Sequence, residues 1–234
     1  MNRFLQARQK EMAYHEQFYA VTQLFEPGNW MSRPVPIVME LLKRFEHEAV
    51  QVLDLGCGVG RNSIPIAEQI QASGGQVTCV ELLPMAVERL IANAEHYGVT
   101  DTIVPFVQDA EFFPIEGNCY DYIVACCCLE HLSSEAAFAS MVLRMQEGTK
   151  PSGIHCIQMS TSVEEIETES GVIHDGLIEL NVSTSHAYEL LEQLYAGWEL
   201  IDRQWSERRV NETKDGKSII FKGNLLTWAV RKIG

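Results

Sequence analysis

Positive charge is scarce in this sequence: 18 Lys and Arg face 32 Asp and Glu over 234 residues, a formal balance of −14. A chain that grips nucleic acid neutralises phosphates with a basic stripe, and a helix lying on an anionic membrane needs a basic face. Neither is present, so nucleic acid and membrane are not expected partners. Long apolar runs are missing as well. The longest, Tyr122 to Leu129, falls far short of the roughly 20 residues a membrane-spanning helix needs. The first residues, Met1 to Glu11, hold no apolar core followed by small residues, so no secretory segment is expected and a cytoplasmic location is. No Cys-x-x-Cys pair occurs. The seven cysteines, three of them consecutive at 126–128, are expected to be buried reduced thiols rather than disulfides or a zinc site. Adjacent strand residues point to opposite faces, so at most Cys126 and Cys128 share a ligand, and no metal is expected.

What is present suffices for an ordinary core, with 46% hydrophobic residues. From residue 50 onward, extended apolar runs alternate with helical spacings. Val50 to Leu55, Gln76 to Leu82, Thr102 to Gln108, Tyr120 to Cys127 and Ile154 to Ser160 read as strands. Between them lie helices marked by Ile64 and Ala67, by Val87, Leu90, Ile91 and Ala94 after Pro84, and by Phe138, Met141, Val142 and Met145 after a Ser133 or Ser134 cap. Such alternation predicts a doubly wound, mostly parallel Rossmann-like sheet with right-handed crossovers. A further helix carries Ala187, Leu190, Leu191, Leu194 and Tyr195. After it, Glu199 to Val210 and Lys217 to Arg231 are separated by a polar turn with Asp215-Gly216, leaving no room for a crossover helix. They must form an antiparallel hairpin, the close of a seven-stranded sheet. Residues 1–49 differ in texture: a polar helical segment from Gln6 to Phe25, then Pro27-Gly28-Asn29-Trp30, then a helix opening near Pro34. They are expected to pack as a helical extension, or lid, on a domain spanning 50–234. Tyr14, Tyr19, Trp30 and Arg33 are its candidate substrate-facing residues, Arg33 also as a partner for a carboxylate.

The chemistry concentrates at Asp54-Leu-Gly56-Cys57-Gly58-Val-Gly60-Arg61, where a strand turns into a helix and glycines let the backbone approach a ligand. A dinucleotide loop reads G-x-G-x-x-G, and this chain has Arg61 at the third glycine's place. Asp54 beside the loop suits a cationic ammonium and is awkward beside a pyrophosphate. Glu81 ends the second strand, where its carboxylate can accept from both hydroxyls of a ribose, with Leu82 next to it. Asp109 ends the third strand; it can accept from an exocyclic adenine amine while the amide of Ala110 meets a ring nitrogen. All three acids fall at carboxyl ends of strands, the edge where open α/β sheets bind ligands.

Asp54-Leu-Gly56-Cys-Gly58-Val-Gly60, Glu81, Asp109-Ala110 and Tyr120-Asp121-Tyr-Ile-Val with Leu129-Glu130-His131-Leu132 resemble the successive motifs of class I S-adenosylmethionine-dependent methyltransferases. The likeness runs over roughly residues 50–160, and Gly-Arg61-Asn62-Ser63 with the late Lys217–Lys232 strand is similar to a small-molecule, tellurite-resistance-like branch. The resemblance implies S-adenosyl-L-methionine as cofactor: its methionine part on the glycine loop, its ribose on Glu81, its adenine on Asp109 and Ala110. It also implies that the loop after strand four, with Cys126, Cys127 and His131, faces cofactor and substrate. His131 is the candidate general base, because an imidazole titrates near neutral pH. The expected function is methyl transfer to a small-molecule acceptor. A nicotinamide-dependent oxidoreductase and a non-catalytic S-adenosylmethionine-binding module are the alternatives. The acidic stretch Ser162 to Asn181 reads as an insertion over the substrate mouth that favours cationic or neutral substrates.

Overall fold

Strands with apolar residues on both faces have to be covered on both faces, and the arrangement of this chain follows from that requirement. The computed structural model describes residues 3–45, 49–176, 178–214 and 217–233. β1 (Gln51–Leu55), β2 (Gln76–Glu81), β3 (Ile103–Val107), β4 (Tyr120–Cys126) and β5 (Thr149–Glu167) pair in parallel in the order β3-β2-β1-β4-β5. β7 (Glu199–Lys214) and β8 (Lys217–Arg231) complete the order as β5-β8-β7, both antiparallel. The expected hairpin is therefore borne out, while its Asp215-Gly216 turn lies outside the described residues.

Successive residues of β1 feed opposite layers, as a strand's period of two requires. Val52 joins α2 (Pro36–Leu42), α3 (Ser63–Ile70) and α4 (Pro84–His96) through Val38, Ile64, Ile66 and Leu90. Leu53 and Leu55 join α5 (Glu135–Gly148) and α6 (Thr184–Leu194) through Phe138, Met141, Val142 and Leu191. Ser134 caps α5 by accepting from the amide of Ala137, and α4 opens on Pro84. The N-terminal helix α1 (Arg3–Val21) buries only Ala7 and Tyr19. Tyr19, Leu24, Met31 and Val35 nonetheless share one apolar cluster with Val52. A buried ring such as Tyr19 contributes on the order of 2 kcal/mol.

Two boundaries and the number of strands differ from the sequence expectation. α1 stops at Val21 rather than Phe25, and the turn that follows passes through Phe25 in the left-handed region at φ 63°. β5 continues to Glu167 instead of ending at Ser160: β8 offers it a ladder through Glu167↔Ile219, with a register shift between Thr161 and Glu164. The acidic stretch is thus partly strand, and a short β6 (Ile173–Asp175) pairs with its end. Among the described residues the sheet has eight strands rather than seven.

Candidate functional site

Chain order reverses between β1 and β4, so the loops leaving their carboxyl ends diverge and open a crevice. Gly56 and Gly58 form its floor. A Cβ on Gly56 would stand 2.8 Å from the Cβ of Cys128, and one on Gly58 would stand 2.7 Å from the Tyr19 hydroxyl oxygen; both residues have positive φ. At Gly56 the wall is the root of a side chain and only glycine fits; at Gly58 it is the hydroxyl end of Tyr19, which a larger residue would displace. The amides of Gly56 and Cys57 donate to the carbonyl of Val80, and Asn93 anchors the loop by donating to the carbonyl of Val59 at 2.8 Å.

Glu81 braces this loop. Its carboxylate accepts from the amide of Gly58 at 3.0 Å and from that of Leu83 at 2.9 Å. Burial raises its pKa, while the amides of Leu83, Gly58 and Leu82 oppose that rise. Each carboxylate oxygen keeps a further lone pair for a ligand. Asp109 caps a short turn through the amide of Glu111 at 2.9 Å, and its other oxygen meets Arg8 of α1 at 2.8 Å. The same guanidinium reaches Glu179 at 2.9 Å and the carbonyl of His131 at 2.7 Å. Arg8 therefore ties α1 to the third strand's end, to the loop after β4 and to the segment before α6.

His131 donates from Nδ1 to the Glu179 carboxylate at 2.8 Å. Burial lowers its pKa, but the hydrogen bond to Glu179 and the charges of Glu130, Glu179 and Glu11 outweigh burial and carry it up to about 9. At neutral pH the ring holds both protons. His15 is the reverse case, lowered to about 4 by burial and by the charge of His131. Glu130 is buried; one oxygen accepts from the amide of Ser160 at 2.8 Å, and the other has no hydrogen-bond partner among the described residues. Burial raises its pKa against the pull of His131 and Ser160.

Two adjoining hollows occupy the crevice. The smaller, about 110 Å³, is lined by Glu81, Leu82, Leu83, Asp109, Ala110 and Arg8 among others. The larger, about 240 Å³, is lined by Gly56, Cys57, Gly58, Arg61, Cys126 and Glu130, by Tyr14, Tyr19 and Trp30 of the N-terminal segment, and by Arg208, Val210 and Phe221 of the hairpin. Glu11, His15, Tyr19, Gly56, Cys127 and His131 line both and mark the junction. Phe18 stacks on Trp30 at 5.2 Å between centroids, and the Arg61 guanidinium lies 5.5 Å from the Trp30 ring.

Most sequence-predicted site residues meet at these hollows: Gly56, Cys57, Gly58, Glu81, Leu82, Asp109, Ala110, Cys126, His131, Tyr14, Tyr19 and Trp30. Asp54, Gly60 and Arg33 do not. Asp54 is 1% exposed and lies behind the loop, accepting from the Ser63 hydroxyl at 2.6 Å; burial raises its pKa to about 7. It fastens α3 to β1 instead of facing an ammonium group. Gly60 packs against Leu90 and Ile64, and Arg33 lends only its backbone carbonyl, to Arg61 at 2.8 Å. The thiols depart from a uniformly buried set: Cys127 is exposed in a left-handed turn at φ 54°. Arg8, Glu11, Glu179 and Arg208 carry no motif, and sequence reasoning missed them; only the Glu11-x-x-x-His15 spacing was available as a signal. Of the acidic stretch, Glu179 alone reaches the smaller hollow, and Arg61 and Arg208 face the larger one, so a preference for cationic substrates does not follow from this geometry.

Residues 52–153 match the family described as "Methyltransferase domain". A ribosomal protein L11 methyltransferase of Dechloromonas aromatica is 38% identical over 110 residues, 45% of this chain and 34% of its own length. A carboxy-S-adenosyl-L-methionine synthase of Vibrio campbellii is 28% identical over 166 residues, 71% of this chain and 64% of its own length. The crystal structure of TehB from Haemophilus influenzae aligns with TM-score 0.64 and 23% identity, covering 85% of this chain and 62% of that one. The chain thus spans from about a third to under two thirds of each relative. The resemblance to class I S-adenosylmethionine-dependent methyltransferases is borne out by the family match, and their Rossmann-like fold by the alignment with TehB.

Proposed function

We propose that this chain transfers a methyl group from S-adenosyl-L-methionine to a small-molecule acceptor, with residues 1–49 acting as a lid on the 50–234 domain in the cytoplasm. The observation that carries this reading is the smaller hollow, lined along one edge by Gly56, Glu81 and the Asp109-Ala110 corner, with Gly58 in the adjoining larger hollow. The donor set fits the cofactor. Glu81 offers two oxygens to a ribose diol, and Leu82 and Leu83 offer apolar cover to a purine. Asp109 retains lone pairs beyond those used by Arg8 and Glu111. Arg61 and Arg208 are cations suited to the carboxylate of the methionine part. When bound, the cofactor supplies an electrophilic methyl group that needs no further activation. The protein's task is then to align the acceptor and exclude water. The α1 roof, pinned by Arg8, does the second.

His131, held doubly protonated beside Glu179, is poorly suited to the base role expected from the sequence. Glu130, with its unpartnered buried oxygen at the larger hollow, is the better proton acceptor. The small-molecule acceptor is favoured by the number of elements that wall the larger hollow: α1, the loop after β4, β5, β7 and β8. One of the similar proteins, the ribosomal protein L11 methyltransferase, has a protein acceptor by name, and this sets the test. Calorimetry with S-adenosylhomocysteine should give one site per chain. Radiolabelled methyl groups should then appear on members of a small-molecule panel and not on proteins of a lysate. Absence of S-adenosylhomocysteine binding to the folded chain overturns the enzyme; label found only on protein overturns the acceptor class.

A further inference from the structure

α1 sets Glu11 and His15 one helical turn apart, on one face, with Oε2 of Glu11 3.9 Å from Nε2 of His15. That face meets His131 from the loop after β4. One ligand atom of each of the three side chains falls within 4.8 Å of the others. Second, the buried Nδ1 of His15 has no hydrogen-bond partner among the described residues, which is rare for a buried ring nitrogen. Third, the remaining ring nitrogen of His131 is oriented from behind: Glu179 holds Nδ1 at 2.8 Å, and Arg8 holds Glu179 at 2.9 Å. A carboxylate behind a histidine is the usual outer support of a metal-bound imidazole.

We infer that Glu11, His15 and His131 bind a first-row divalent cation, with zinc the best match to two imidazoles and one carboxylate. Three protein ligands of this kind leave a coordination position open. On a tetrahedral ion with bonds of roughly 2.0–2.2 Å the ligand atoms stand about 3.3 Å apart. Rotation of the α1 side chains closes the difference. The cation takes the place of a proton on His131. Its location is the junction of the two hollows, where all three residues line both. It therefore joins the lid to the core, and it presents its open position between the proposed cofactor side and the proposed acceptor side. Resting on the methyl-transfer reading, the ligand it would take is an acceptor hydroxyl. The hydroxyl proton passes to the Glu130 carboxylate as the oxygen binds, and an oxygen lone pair forms the new C–O bond. The methyl–sulfur bond breaks with its electron pair returning to sulfur. Ionisation of a hydroxyl on a cation removes the need for a strong base.

The test uses the full chain freed of metal with a chelator, then titrated with Co²⁺ as a coloured stand-in and back-titrated with Zn²⁺. One equivalent should bind and develop visible absorption, and zinc should displace it. Glu11→Gln and His15→Gln, each checked for folding by thermal melting, should weaken Co²⁺ at least tenfold. Glu179→Gln, a positioning change, should weaken it about tenfold or more. No binding to the wild type overturns the site. So does binding that both α1 variants leave unchanged, or binding lost only in Cys127→Ser. S-adenosylhomocysteine is titrated in parallel. Its binding without cobalt binding overturns the cation alone; cobalt binding without it supports the site and overturns the methyl-transfer reading.

Discussion

The two sides of the crevice are built differently. The floor, from β1 to the start of α4, is held by backbone groups close in sequence: Gly58 and Leu83 amides on Glu81, Gly56 and Cys57 amides on Val80. The roof is held by side chains far apart in sequence, with Arg8 bonded to Asp109, His131 and Glu179 across 101, 123 and 171 positions. A floor of amides and glycines presents the same shape whatever the neighbouring side chains are, and suits a ligand common to many enzymes. A roof of charged side chains changes with single substitutions, and suits an acceptor peculiar to one.

The largest expected effect breaks the floor. Gly56→Val adds a side chain into Cys128 and forces a β-branched residue to φ 69°, at a cost of about 4 kcal/mol from overpacking and strain together. Urea unfolding should lose most of its midpoint. Next, Glu81→Ala leaves two amides unbound and removes the diol acceptor, which should weaken S-adenosylhomocysteine about a hundredfold by calorimetry while the fold persists. Unchanged affinity would remove Glu81 from the cofactor site. Arg8→Ala should act on the roof instead, costing about 2 kcal/mol because Glu179 and Asp109 lose their shared cation. Amide exchange in α1 should accelerate while the β1 loop stays protected; equal acceleration in both would erase the distinction between floor and roof.

The last prediction concerns pH, and its effect is small per unit. The folded pKa of Asp54 is raised to about 7 from 3.8, so the folded state holds this proton longer than the unfolded state does. Stability from this group is present below the unfolded value and is lost as pH rises from about 4 to 7, with a slope of about 1 kcal/mol per pH unit. Asp54→Asn abolishes that slope. The variant's thermal midpoint, measured against wild type, should therefore gain steadily between pH 4 and 7; a constant difference would show that Asp54 ionises normally.

Legibility followed the same division. The strands β1 to β4 and the glycine loop were readable because short apolar runs and the glycines that end them leave local marks in a sequence. The hairpin β7–β8 was readable because its short turn excluded a crossover helix. β5 past Ser160 was not, since Glu164, Glu165 and Glu167 become strand only when β8 supplies the ladder. Asp54 was misread for a comparable reason: its place beside the loop is visible in sequence, but its direction was set by the packing of Ser63.

By itself, then, the sequence determined a parallel sheet closed by a hairpin, a glycine loop at its switch point, and the acids at the ends of β2 and β3. Tertiary structure alone decided that Arg8, Glu11 and His15 cover that edge, that Glu179 stands behind His131, and that Glu130 keeps an oxygen unpartnered among the described residues. Hydrogen bonds within a turn or ladder are dictated by neighbouring residues and their allowed backbone angles. Contacts between a lid and a loop more than a hundred positions away depend on how whole layers pack, and no local pattern encodes them.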